Sequence, residues 1–281
     1  MRLIFLLALF ASFISACTSN DIKVDTKESE SHYQLGLEFA QLNLYKNALE
    51  EFDLAIKFNP DNSSIYRKKG LILFGMSRYE EAKTSFEKAI SLDPMDVQAH
   101  INLGMVHYAS KNKKEALDAW EHAVALKNDD NDGKALNNIG NIYKNEKDFN
   151  KAIEYYKRAV TFEPGNSTFL NNLGDSYRLM GDLKQAETVL LKSAELDSHG
   201  MLTQFNLGVL YRTQGNFPRA IESFQKSLQI NPYYIEAYYQ LATTHLKADD
   251  KESAKQSLEK GLQVDPSNKK FKELYNQIIA S

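Results

Sequence analysis

Residues 171–190 read Asn-Asn-Leu-Gly-Asp-Ser-Tyr-Arg-Leu-Met-Gly-Asp-Leu-Lys-Gln-Ala-Glu-Thr-Val-Leu. The stretch holds a Leu173-Gly174 pair, then Ala186 twelve residues after the glycine, then Leu190 four further on. The same three marks recur along the chain. The pair returns as Leu35-Gly36, Lys69-Gly70, Leu103-Gly104, Ile139-Gly140, Leu207-Gly208 and Leu241-Ala242, at steps of 34, 34, 36, 34, 34 and 34 residues. The alanine returns as Ala48, Ala82, Ala116, Ala152, Ala220 and Ala254. The large residue beyond it returns as Phe52, Phe86, Trp120, Tyr156, Phe224 and Leu258. Pro60, Pro94, Pro164, Pro232 and Pro266 close five of the seven units. A fixed period of this length marks stacked supersecondary units, none of which buries its apolar face alone.

Each recurring residue has a physical reason. Glycine or alanine is needed where the first helix of a unit (helix A) closes on the second (helix B). The large residue one turn beyond the alanine lies on the same face of helix B. Proline cannot continue helix B, and segments such as Pro60-Asp61-Asn62-Ser63 supply the next cap. Gly181-Asp182 and Gly215-Asn216 read as the turns inside a unit.

This spacing resembles the tetratricopeptide repeat (TPR). The resemblance implies an all-α fold, a right-handed superhelix of about seven helix-turn-helix repeats over residues 29–268. The repeats start near 29, 63, 97, 133, 167, 201 and 235. Residues 269–281 carry Phe271, Leu274, Tyr275 and Ile278 at helical spacing and read as a C-terminal capping helix. Repeat three ends in Lys127-Asn128-Asp129-Asp130-Asn131-Asp132-Gly133, longer than its siblings and without proline. Extra residues in a solenoid map to a turn at its edge. This acidic loop lacks the ordered ligands and bidentate Glu of a calcium loop.

The chain begins with a different kind of segment. Met1-Arg2 is a short positive region and residues 3–13 (LIFLLALFASF) are apolar, too few for a bilayer span, which needs about 20 residues. Residues 1–16 therefore read as a signal peptide. Ile14-Ser15-Ala16-Cys17 resembles the bacterial lipobox, and Cys17 is the lone cysteine of the chain. The resemblance implies lipid attachment at Cys17, and Thr18 after it favours the outer membrane, with the protein facing the periplasm. Residues 17–28 are polar and read as a flexible tether. Several acyl chains at about 0.8 kcal/mol per buried CH₂ would anchor it durably.

Composition narrows the functions. Of 281 residues, 34 are basic and 37 acidic, so the net charge of −3 offers no footprint for nucleic acid. One cysteine excludes a disulfide framework and a multi-cysteine metal site. His100 and His107 occupy the positions held by Leu136 and Tyr143 in the next unit, which makes them core or near-core residues. The three Ser-x-x-Lys strings at Ser85, Ser223 and Ser257 share one helix-B register, so the repeat itself generates them. No Gly-rich phosphate loop or metalloprotease string is present. No enzyme, cofactor or metal is expected.

The surface expected to bind is the concave one, lined by helix A. Two residues before each repeat glycine or its alanine stand-in stand Gln34, Lys68, Asn102, Asn138, Asn172, Asn206 and Gln240. Four consecutive Asn form a row, thickened by Asn137, Asn141 and Asn171. An Asn amide both donates and accepts, so such a row can grip the backbone of an extended peptide. This resembles the asparagine ladders of other peptide-binding TPR arrays; the alternative is that Asn here is only repeat consensus. Asp175, Arg178 and Arg212 fall on the same side and add charge selectivity. The basic clamp of chaperone-binding TPR domains is not reproduced, because Leu71 and Leu202 stand where polar or basic residues are needed.

Signal, lipobox and TPR content together resemble the pilotin lipoproteins of type IV pilus biogenesis. That resemblance implies a non-enzymatic scaffold whose partner is a protein or extended peptide segment, such as a secretin subunit, with membrane contact through the lipid alone. The alternative is a TPR lipoprotein adaptor that recruits peptidoglycan hydrolases or proteases, a reading that dimerisation through an N-terminal extension would favour.

Overall fold

A computed structural model of the chain describes residues 24–126 and 132–280, and all its regular structure there is helical, fifteen α-helices without a strand. The expected signal peptide, Cys17 and most of the acidic loop lie outside the described residues. The chain divides into two compact units between Ala99 and His100.

The first unit contains α1 (Thr26–Gln41), α2 (Tyr45–Phe58), α3 (Ser63–Gly75) and α4 (Tyr79–Leu92). α1 packs on α2, α3 on α4, and α2 on α3. The repeat glycines sit where the helices of a pair approach. A Cβ on Gly36 would lie 2.6 Å from Cε1 of Phe52, and one on Gly70 2.7 Å from Cε1 of Phe86. Both phenylalanines are fully buried. The stretch expected to be tether up to residue 28 ends earlier. Asp25 accepts from the backbone N–H of Lys27 and Glu28 and starts α1 at Thr26. Its own N–H donates to the Phe58 carbonyl at 3.1 Å, and the Ser29 hydroxyl donates to the Ala55 carbonyl at 2.9 Å. These bonds tie the first turn of α1 to the end of α2.

The unit boundary falls in the first turn of α5 (Val97–Ala109). The second unit continues with α6 (Lys113–Ala125), α7 (Asp132–Asn145), α8 (Phe149–Phe162), α9 (Ser167–Met180), α10 (Leu183–Leu196), α11 (Met201–Thr213), α12 (Phe217–Ile230), α13 (Ile235–Lys247), α14 (Lys251–Val264) and α15 (Lys269–Ala280). Successive helices pair as A and B, and Gly140 and Gly208 close on Tyr156 and Phe224 as their counterparts do in the first unit. Trp120 is buried against Gly104 and its indole N–H donates to the Ile101 carbonyl at 2.9 Å. α15 buries Phe271 beside Ala242 and Leu258. Contacts also run from α7 to α9, α9 to α11 and α11 to α13, so these A helices form one continuous face.

The turns between A and B repeat as faithfully as the core. Asn43, Ser77, Lys111, Lys147, Gly181, Gly215 and Asp249 share one register, and all have positive φ, from 59° to 94°. Only two are glycine, the residue for which that conformation carries no Cβ penalty. Helix B ends two residues before each closing proline, at Phe58, Leu92, Phe162, Ile230 and Val264. That is where the ring of the coming proline forbids the helical conformation to its predecessor.

Candidate functional site

The expected row lies wholly in the second unit, on α5, α7, α9 and α11, and the structure sorts it into two layers. Asn138, Asn172 and Asn206 are half-buried. Asn102, Asn137 and Asn171 are buried, at 3%, 8% and 7% exposure. Asn137 accepts from Asn172 Nδ2 at 2.9 Å, and Asn171 accepts from Asn206 Nδ2 at 3.0 Å. Each bond joins one A helix to the next. Asn137 and Asn171 therefore act as brackets that hold Asn172 and Asn206. Asn102, Asn137 and Asn171, expected among the groove residues, are thus buried. For Asn137 and Asn171 the cause is a one-residue step along the helix, about 100° of rotation, which carries them toward the neighbouring helix; Asn102 shares the register of the outer amides and is buried nonetheless. Asn141 is also engaged: its Oδ1 accepts the Tyr156 hydroxyl at 2.6 Å. Burial first, then Asp175, pushes the Tyr156 phenol well above its ordinary range, so it stays a neutral donor.

Each outer amide keeps bonding capacity. Asn172 and Asn206 use one N–H each on their brackets, which leaves the second N–H and Oδ1 for an outside partner. At this register the first unit carries Gln34 and Lys68 instead, and Gln34 bonds Glu30 on its own helix at 2.6 Å.

The charged residues form a second row one helical turn away. Asp175 bridges two cations: Arg178 Nη2 reaches its Oδ1 at 2.6 Å, and Lys144 Nζ its Oδ2 at 3.4 Å. Lys144 was not among the expected site residues. It stands four residues after Gly140, as Arg178 and Arg212 do after Gly174 and Gly208, and that shared offset was the available signal. Arg212 donates from Nη1 to Gln240 Oε1, and to Thr243 Oγ1 at 3.1 Å. Gln240 Nε2 in turn donates to Glu236 at 2.6 Å. Burial, then repulsion from Arg178, lowers the Arg212 pKa, opposed by Glu236 and Tyr239.

Family models described as tetratricopeptide repeat match residues 29–62, 67–133, 133–166, 165–232 and 211–278. The chain belongs to the tetratricopeptide repeat family. No curated protein matches it. Among solved structures it is similar to Pseudomonas aeruginosa PilF (20% identity, 78% of this chain, 98% of that chain, TM-score 0.66). It is similar to PilW, a type IV pilus biogenesis factor (22% identity, 78% of this chain, 99% of that chain, TM-score 0.66). It also resembles the Cut9–Hcn1 hetero-tetramer of the APC/C (17% identity, 89% of this chain, TM-score 0.69), where it spans 46% of the matched chain. At these identities the likeness is one of fold. TPR proteins are generally non-enzymatic scaffolds that bind protein or peptide partners, and in this chain the two rows form a polar face on the A helices of the second unit.

Proposed function

We propose that this chain is a non-enzymatic scaffold that binds an extended segment of a protein partner along α7, α9 and α11. The reading rests on one observation: outer amides on α9 and α11, Asn172 and Asn206, each with an N–H and an Oδ1 to offer, held in place by Asn137 and Asn171. An extended backbone presents alternating N–H and C=O groups, which such amides match without regard to side chain. We further propose that the protein is anchored through Cys17 to the periplasmic face of the bacterial outer membrane, and that it assists assembly of an envelope machine such as a type IV pilus secretin. The lipobox-like string at residues 14–17 supports the anchor, and the likeness in fold to PilW supports that choice of machine.

Deleting the gene and scoring secretin multimers together with pilus-dependent motility tests the role. Loss of both is the expected result, and intact multimers in the mutant would overturn it. Fractionation of Cys17→Ala tests the anchor: the variant should fold and leave the membrane fraction.

A further inference from the structure

The basic row beside the amides makes a demand that the chain does not meet. Lys144, Arg178 and Arg212 stand at one register on three successive A helices, flanked at that register by Tyr108 and Leu246. Asp175 satisfies the first two. Arg212 is treated differently. Its bonds within the chain leave from Nη1 alone and go to the neutral side chains of Gln240 and Thr243. The remaining edge, Nε–H and Nη2–H, is the fork that takes a carboxylate in two parallel bonds. Glu236 does not fill it. Gln240 stands between the two charges, its Nε2 on Glu236 and its Oε1 on Arg212. A half-buried guanidinium with an idle fork, beside a second guanidinium, is an arrangement that an anion from outside completes.

We infer that Arg212 receives, on its unused fork, a carboxylate side chain from an acidic segment of the partner protein. This rests on the proposal that the A face binds an extended segment, and it adds what that segment carries. It differs from the basic clamp for a C-terminal carboxylate, whose places hold Leu71 and Leu202. The chain's own negative charge argues against nucleic acid as the occupant.

The probe is a short labelled peptide with Glu at every third position in a Pro/Ser background, titrated by fluorescence anisotropy against the full chain. A twin peptide with Gln at those positions is the control. The Glu peptide should bind at least about tenfold tighter than its twin, with an advantage that shrinks as salt rises. Arg212→Gln, with its fold checked by circular dichroism, should erase the preference between the twins. Arg212→Lys should keep part of it, because the charge remains and the fork does not. Equal binding of the two peptides to the wild type, binding of neither, or a preference that survives in Arg212→Gln each overturns the acidic inference. The extended-segment reading is judged separately. If the wild type binds the two peptides alike while the Asn138, Asn172 and Asn206 triple alanine variant loses both, that reading stands and the acidic inference alone falls.

Discussion

The first unit and the second are written in one repeat grammar but carry different residues on helix A. Both bury an aromatic of helix B against the repeat glycine of helix A, Phe52 and Phe86 in the first, Trp120, Tyr156 and Phe224 in the second. Only the second adds the amide pairs and the basic row. The difference separates two kinds of selection on one scaffold. Small-against-large contacts are a condition of closing any helix pair, whereas positions one turn or one residue away are free to carry chemistry. A repeat array can therefore be equally well folded throughout and functionally polarised.

The largest effects should not distinguish the units. Phe86→Ala in the first and Phe224→Ala in the second each empty a fully buried site between paired helices. Each should cost about 3–5 kcal/mol in denaturant melts. A loss below about 1 kcal/mol in one unit alone would break the claim that both close in the same way.

The next test should separate them. Removing Asn138, Asn172 and Asn206 together should lower partner affinity at least about tenfold, since each unpaired group costs about 1–3 kcal/mol when buried. Replacing the brackets, Asn137 and Asn171, should also lower stability, by about 1 kcal/mol for each lost bond. Gln34→Ala in the first unit should change neither. Titration against the native partner, with melts on the same variants, reads both quantities.

How far the sequence foretold this division depends on which contacts are periodic. The repeat period, helix pairing and A–B turns were legible because each residue there answers a constraint that returns every unit. The acidic and basic groups were partly legible: Asp175, Arg178 and Arg212 were expected on one side, and Lys144 was missed. The split of the amides into brackets and outer groups was not legible. Asn137 and Asn138 are the same residue type one step apart, and only the approach of the next A helix decides which of them turns inward.

Helix caps give a smaller contrast. Asp148, Asp182, Asn216 and Asp250 each accept a backbone N–H in the first turn of helix B. Leu44 and Arg78, at the same register in the first unit, make no such bond, and neither does Asn112 in the second. Asp182→Ala should cost about 1 kcal/mol, and Arg78→Asp should recover a similar amount. If both variants melt like the parent, the caps do not contribute to the difference between the units.

The smallest effect lies in the residue just before those caps. Lys147 and Ser77 hold φ of 63° and 60°, a region in which a Cβ crowds the following carbonyl by about 1–2 kcal/mol. Lys147→Gly and Ser77→Gly relieve that crowding. Glycine also widens the freedom of the unfolded chain, which takes back about 0.4–1 kcal/mol. The net gain should be a few tenths of a kcal/mol up to about 1, and equal in the two units because the turn is identical. Asn43→Gly should gain less, since a short polar side chain tolerates this conformation better. The converse, Gly181→Ala or Gly215→Ala, should destabilise, because no neighbour lies within 4 Å of the added Cβ and only the backbone resists it. Paired thermal melts of the five variants decide the point. A loss in Lys147→Gly together with a gain in Gly181→Ala would show that the left-handed turn is not where these pairs store strain.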